Sequence, residues 1–422
     1  MRNIINFLIE VNKLKEMPRT GWVLRKVKRP ETIAEHTFRV ALVGWLLAEK
    51  QKLNVKKAIK IALSHDLCEV YAGDVTPFFY YLDLPKDKKE RKKVLMKWVR
   101  LSKEEKEKRG RLKFEREKKS LLKLIKFLPP VIKRDLFLSW LDYERGISKE
   151  GKFMKQVDKI ETLIQAIEYF GPQKTPAIGW WEETEELVED PLLLEFLKVI
   201  QKKFYGTKIK IGRKNKDLEN ILDFILTIGR LKIMSRLYWL MRGVKNPETV
   251  ASHIFTLALM ALIFGRESKL NLEKLLKMAL CHEISAVYTG DTTPYDRVLP
   301  KDPQKRKEIL KRMIRLSKTQ KEKIFFKDYQ EEKKTLEKLT SKLNPPLKKE
   351  IIQLWREYRT KSSLEGYFLS QLNVLAVLFQ ALIYEKENKG FFATPVWEWA
   401  LETVDHPLQL ELLKEMKKKF YG

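Results

Sequence analysis

The ten residues His65–Asp74 read HDLCEVYAGD, and 217 positions further on His282–Asp291 read HEISAVYTGD. A long-range repeat decides how many cores a chain has, so its extent comes first. Working outward, Asn3–Arg19 (NIINFLIEVNKLKEMPR) meets Asn220–Arg236 (NILDFILTIGRLKIMSR) at the same displacement, as Trp22 meets Trp239, Arg25 meets Arg242 and His36 meets His253. The offset slips to 215 where Trp140 and Tyr143 meet Trp355 and Tyr358, and both copies close on KKFYG, at Lys202–Gly206 and Lys418–Gly422. The 422 residues therefore read as two domains, 1–206 and 218–422, joined by a basic, glycine-containing linker at 207–217. Units of this length each bury a core of their own, which makes the chain a duplication and not a solenoid.

Within each copy the apolar spacing is helical. Thr32 is placed to cap a helix through ETIAEHTFRVALVGWLLAEKQ, with Ile33, Phe38, Ala41 and Trp45 on its buried side. Asn54 is placed to cap NVKKAIKIALSHDLCEVY, which would run to the Gly73–Asp74 turn. A third helix, Lys149–Phe170, carries Phe153, Val157, Ile160, Ile164 and Ile167 as a core stripe. Alternating apolar and polar runs are lacking. The expected class is all-α, with two tandem helical domains packed as a pseudo-twofold pair.

Composition narrows the partners. Lys and Arg number 85 against 56 Asp and Glu, a net charge of +29, while 44% hydrophobic and 33% charged residues exclude wholesale disorder. The longest apolar runs, Val40–Ala48 and Leu257–Phe264, fall short of the roughly 20 residues of a membrane span. The N-terminus reads as an amphipathic helix with no cleavage site after it, so the expectation is a cytoplasmic chain with no membrane partner. Two cysteines, Cys68 and Cys281, supply neither a disulfide framework nor a thiolate zinc cage, and their counterparts Ser285 and Ser64 make them packing residues. Much of the positive charge lies in two arms, Lys86–Lys119 with 17 basic and 7 acidic residues and Lys301–Lys338 with 14 and 7. Mixed charge at helical spacing reads as solvated, salt-bridged helices; a surface for nucleic acid is the alternative.

Chemistry concentrates on the histidines. Of five, four occupy matched positions, His36 with His253 and His65 with His282; His406 has no counterpart and reads as a surface residue. Around His65, Asp66 is adjacent, Glu69 lies one helical turn on, and Asp74 follows in a turn. Asp158 sits on the third helix in the row Met154, Asp158, Glu161, Gln165. Two imidazoles with two carboxylates form a mixed nitrogen and oxygen donor set. It suits Mn²⁺, Co²⁺, Ni²⁺, Fe²⁺ or Mg²⁺, and allows zinc without demanding it.

A His on one helix, the His65-Asp66 doublet on the next and a distant Asp in a QVDK context resemble the HD-domain superfamily of metal-dependent phosphohydrolases. RTGWVLRKVKRPETIAEHTFRVA, HDLCEVYAGDVTP and WLDYERGISKEGKFMKQVDKIETLIQAIEY are similar to the small HD-domain 5′-deoxynucleotidases, which dephosphorylate nucleoside 5′-monophosphates. The resemblance covers most of the first copy except the 86–119 arm, which is longer than the family usually has. It implies His36, His65, Asp66 and Asp158 as metal ligands. It implies Glu69 and Asp74 as proton carrier, further metal contact or leaving-group contact, and Arg19 with Trp22 as a pair near the nucleotide, although Thr20 and Gly21 intervene. By chemistry alone Arg19 or Arg25 can pair with a phosphate; Arg25 reads equally as a solvated cation and Trp22 equally as a core aromatic. The expected function is removal of the 5′-phosphate from (deoxy)nucleoside monophosphates by metal-activated water. The alternatives are another nucleotide or nucleic-acid phosphoester, or a non-catalytic nucleotide- or nucleic-acid-binding protein on the same scaffold.

The second copy keeps His253, His282 and Asp291 but has Glu283 in place of Asp66, Ala286 in place of Glu69, Asn373 in place of Asp158 and Ala376 in place of Glu161. A weakened or empty metal site is expected there, in a half that serves as scaffold or regulatory domain. Single-domain members of this branch tend to pair, so a tandem chain is expected to be a monomer with an internal pseudo-dimer.

Overall fold

Short polar side chains set where the helices begin. The computed structural model describes residues 1–75, 87, 90, 102–172, 175–206, 215–266, 270–293, 299–311 and 314–422. In its first half the helices are α1 (Arg2–Asn12), α2 (Thr20–Leu24), α3 (Ile33–Lys50), α4 (Val55–Ser64), α5 (Glu69–Ala72), α6 (Lys103–Leu124), α7 (Pro130–Arg145), α8 (Lys149–Phe170), α9 (Thr175–Leu187) and α10 (Pro191–Tyr205). Thr32 caps α3 in a reciprocal box with Glu35, Asn54 caps α4 through the Lys57 amide, and Ser148 caps α8 through the Gly151 amide. Among the described residues extended pairing is limited to two isolated bridges, Pro18 with Thr32 and Ser235 with Thr249. These matched bridges tie the Arg19 and Arg236 segments to the starts of the helices that carry His36 and His253.

Packing explains why one stripe was visible and a whole helix was not. Every residue of α3 from Ile33 to Ala48 is buried, the polar Glu35, His36, Thr37 and Arg39 included. It lies against α4 and α8, while α7 and α9 flank α8. In the second half the helix Val250–Phe264 is buried along its whole length too. Leu364–Glu387, the counterpart of α8, is the one helix among the described residues long and apolar enough to cross a membrane, with a mean hydropathy of 1.6 over its best 18 residues. Gln371, Asn373 and Gln380 punctuate it, so no uninterrupted apolar run marks its length. Of that window 94% is buried inside the protein, so it is a core helix.

One expected helix breaks. The run from Asn54 stops at Ser64, and the chain continues through tighter three-residue bonds, Leu67 N–H to Ser64 C=O and Glu69 N–H to Asp66 C=O. His65 causes this: its Nδ1–H donates to the Ala62 carbonyl at 2.6 Å, an oxygen that a continuing α-helix would offer to the backbone. The turn ends at Gly73, whose φ of +74° is open to glycine at little cost.

The first arm is not a free, solvated helix along its length. Residues 76–86 and 91–101 lie outside the described residues. The C-terminal half of α6 packs on α5, where Ser120 Oγ donates to the Cys68 carbonyl and Arg116 donates to the Ala72 carbonyl. Phe114 stacks on Trp140 at 5.3 Å, and Tyr329 stacks on Trp355 at 4.9 Å in the second half. Beside these stacks, the registers that hold Lys113 and Glu144 in the first copy hold Asp328 and Arg359 in the second. Glu117 pairs with Lys113 at 3.4 Å; its counterpart Glu332 pairs with Arg359 at 3.0 Å. The positions have exchanged sign and kept an ion pair.

Backbone contacts divide the chain into two compact units, Asn6–Ile225 and Met1–Ile5 with Leu226–Gly422. Of the expected linker, residues 207–214 lie outside the described residues, and Lys216 and Asp217 already belong to the helix Lys216–Gly229.

Candidate metal centre

Three helix segments bring His36 from α3, His65 and Asp66 from the turn after α4, and Asp158 from α8 to one place. A ring nitrogen of His36, a ring nitrogen of His65 and a carboxylate oxygen of Asp66 lie within 4.8 Å of one another. His36 Nε2 is 2.9 Å from Asp158 Oδ1 and 3.8 Å from Asp66 Oδ2, and His65 Nε2 is 3.1 Å from Asp66 Oδ2. Although close, His36 Nε2, His65 Nε2 and Asp158 Oδ1 are buried without an aligned hydrogen-bond partner. Buried polar atoms left in that state are costly unless something else satisfies them. Donors about 2.1 Å from one cation and at right angles to each other sit about 3 Å apart, close to the 2.9 Å between His36 Nε2 and Asp158 Oδ1 and the 3.1 Å between His65 Nε2 and Asp66 Oδ2. The residues fit a divalent ion.

Each donor is oriented from behind. The Ala62 carbonyl holds Nδ1 of His65 and so leaves Nε2 as the inward lone pair. His36 Nδ1–H donates to Glu161 Oε2 at 2.5 Å, and Glu161 is held in turn by Arg39 Nε at 2.6 Å. Arg39, with no exposed surface, also donates to Glu168 at 2.7 Å and to Gln165 at 2.9 Å. Tyr143 donates its O–H to Asp158 Oδ2 at 2.8 Å and lays its ring on His65, centroids 5.1 Å apart. Sequence reasoning missed Arg39 and Tyr143. Arg39 was visible only as a cation within the run Phe38–Ala48, and Tyr143 merely as a matched repeat position.

Charge follows this geometry. In the protein alone, burial opposes a proton on His36, but Glu161 and Asp158 outweigh it and raise the imidazole to about 9. Burial also works against ionised Asp66 and Asp158; neighbouring cations and imidazoles overcome it and hold both carboxyls low. Glu69 goes the other way, because burial and then Asp66 and Asp74 push its carboxyl up. At pH 7 His36 therefore carries a proton that a metal must displace. Metal uptake should release close to one proton per site, read as the buffer-ionisation dependence of the calorimetric enthalpy. An enthalpy independent of buffer would contradict the assignment of His36 as ligand.

Of the expected substrate residues, Arg19 alone reaches the centre. Its Nη1 pairs with Asp66 Oδ2 at 3.1 Å and its Nε lies 3.8 Å from Asp74. Asp74 accepts the Thr20 amide at 2.6 Å, so it fastens the Arg19 segment to the metal-facing turn. Glu69 is buried beside them, with Oε2 unpartnered. Trp22 is 1% exposed, donates to Glu31 at 2.9 Å and packs against Tyr169 and Trp180, which makes it core and not a surface for ligand. Arg25 donates to the Gly21 carbonyl at 3.1 Å and lies 4.0 Å over Trp180; burial lowers it to about 10. Lys159, not singled out in the sequence, lies 3.8 Å from Asp158 Oδ2 and 3.4 Å from Glu183. Cys68 and Cys281 are buried and burial pushes both thiols up, in keeping with packing.

The sequence profile described as the HD domain matches residues 11–187 and again 228–400. The chain belongs to the HD-domain family. Both HD regions contain the histidine pairs described above. The curated relatives named 5′-deoxynucleotidase HDDC2 from Bos taurus and Homo sapiens are each 32% identical, over 42% and 40% of this chain and 72% and 69% of their own. The zebrafish (Danio rerio) protein of the same name is 28% identical over 52% of this chain and 98% of its own.

The second HD region keeps the arginine and turn contacts of the first and differs at the position of Asp158 and in the supporting network. His253, His282 and Glu283 still cluster within 4.8 Å. Yet His253 Nε2, the atom that faces the centre, is bonded to Asn373 Oδ1 at 2.7 Å, and Asn373 donates its amide to Tyr358 at 2.9 Å. Glu283 is drawn into an ion pair with Arg236, and Asp291 accepts the Leu237 amide at 2.6 Å. Burial, then Arg236, lowers His253 to about 4. The supporting network is gone as a set: the registers of Arg39, Glu161 and Glu168 hold Thr256, Ala376 and Ile383.

Proposed function

We propose that the first HD region is a metal-dependent phosphohydrolase that removes the 5′-phosphate of (deoxy)nucleoside monophosphates, with His36, His65, Asp66 and Asp158 as its metal ligands. The observation that carries this reading is that His36 Nε2, His65 Nε2 and Asp158 Oδ1 are buried without an aligned partner, with Asp66 Oδ2 3.8 and 3.1 Å from the two ring nitrogens. The curated relatives named 5′-deoxynucleotidase support the substrate class. A bound divalent cation would supply positive charge at the phosphoryl group and acidify a water.

The chain's own groups do the rest. Arg19, held by Asp66 and Asp74, presents a guanidinium beside the centre, where its fork suits a phosphate. Lys159 adds charge on the side of Asp158. Glu69, whose carboxyl is pushed up by burial and by Asp66, retains a proton for the departing 5′-oxygen. Asp74 fixes the arginine through the Thr20 amide. The test is phosphate release from a panel of mononucleotides with Mn²⁺, Co²⁺ or Mg²⁺. Release dependent on added metal supports the reading, and no release from any mononucleotide with any of these ions rejects it.

A further inference from the structure

In the second unit a cavity of about 450 Å³ opens over the counterpart of the metal centre. Its walls include Arg236, Arg242, His282, Phe325, Arg359 and Trp399. We propose that this cavity binds a nucleoside 5′-monophosphate directly, without a metal ion and without hydrolysing it. The ligand class rests on the function proposed for the first unit.

Three observations converge. First, a nitrogen that would hold an ion is spent internally: His253 Nε2 is bonded to Asn373 Oδ1, a neutral amide that stands where the first unit has Asp158. Second, the charge of the site has been rebuilt. Where the first copy carries Glu69, Asp158 and Glu161, the second has Ala286, Asn373 and Ala376. Where the first has Glu144 and Gly146, the second has Arg359 and Lys361, and both line the cavity. A centre rich in carboxylates needs a cation before it accepts a phosphate; here the acids left on the wall, Glu283, Asp291 and Glu332, are balanced by Arg236 and Arg359, and Lys361 adds an exposed cation beside them. Arg242 lines the wall, where its Nη1 donates to the Leu310 carbonyl at 2.6 Å and its guanidinium lies 4.4 Å from the Tyr238 ring centroid.

Third, a buried ring nitrogen on the cavity wall lacks an aligned hydrogen bond, its nearest carboxylate oxygen being that of Glu283 at 3.7 Å. His282 is 2% exposed, its Nδ1–H donates to the Ala279 carbonyl at 2.8 Å, and its Nε2 has no hydrogen-bond partner. A lone pair in that position calls for a hydroxyl donor, which a sugar provides. Phe325, with 42% of its surface exposed and Gly110 as its counterpart, and Trp399 supply apolar faces for a base. Cations, a hydroxyl acceptor and aromatic faces together match a nucleotide and not inorganic phosphate alone.

The experiment uses the full chain in EDTA, where metal-dependent turnover is silenced, with dAMP as probe and deoxyadenosine and inorganic phosphate as controls, by equilibrium dialysis. Saturable dAMP binding is expected, at least tenfold tighter than for either control. The exposed-site variant Lys361→Glu and the variant Arg242→Ala should each weaken it at least tenfold, with metal-dependent phosphate release by the first unit unchanged in both. Absence of saturable binding, or binding indifferent to both variants, overturns the proposal. Failure of the wild type to release phosphate would instead reject the function proposed for the first unit, and the EDTA binding result would stand by itself.

Discussion

Replacing Asp66 by alanine should lower metal-dependent phosphate release by about a thousandfold, or about 4 kcal/mol of transition-state stabilisation. Asp66 is the member that touches everything: its Oδ2 lies 3.1 Å from His65 Nε2, 3.8 Å from His36 Nε2 and 3.1 Å from Arg19 Nη1. Its loss removes a metal ligand and frees the proposed phosphate-binding guanidinium at once. The parallel change Glu283→Ala should leave phosphate release within about twofold of wild type, because Glu283 belongs to the second HD region, where Asn373 and Ala286 stand in place of Asp158 and Glu69. Initial rates with saturating Mn²⁺, together with metal content per chain, decide the matter. Full activity in Asp66→Ala, or equal losses in the two variants, would defeat the assignment.

Arg39→Met should be the most damaging single change away from the substrate. It strands Glu161 and Glu168 without their cation in a region where Arg39 and Glu161 have no exposed surface. Breaking a buried pair from one side costs about 3–5 kcal/mol, which for a unit of this size lowers its melting transition by about 10 °C. Metal affinity should fall by about 10- to 100-fold as well, since Glu161 no longer fixes the His36 ring. The second unit shows how to separate these effects. Installing its residues together, as Arg39→Thr with Glu161→Ala and Glu168→Ile, removes the charges jointly and should recover most of the melting temperature. Metal affinity should stay low. If the triple variant binds metal as the wild type does, the network does not position His36.

The elements easiest to read were those whose physics is local. Thr32, Asn54 and Ser148 announce their helices because a short oxygen-bearing side chain satisfies amides a few residues away. The stripe of Phe153, Val157, Ile160, Ile164 and Ile167 gave α8 its full span. The break after Ser64 was not legible, because it depends on a histidine ring competing for a backbone carbonyl. The arm misled for a related reason. Charge spacing along α6 marks a helix, but not that Ser120 and Arg116 will bond the Cys68 and Ala72 carbonyls.

The sequence by itself determined that the chain is a duplicated all-α HD-domain protein, and that the donor residues of one copy are altered in the other. Those facts reside in residue identity and spacing, which repeat whether or not the chain is folded. Only the tertiary structure decided which groups share a centre and what each is bonded to. It put Trp22 in the core, drew in Arg39 and Tyr143, and spent His253 Nε2 on Asn373. Hydrogen bonds between residues more than a hundred positions apart are set by how helices pack, and a side chain's remaining valence is known only once those bonds are made.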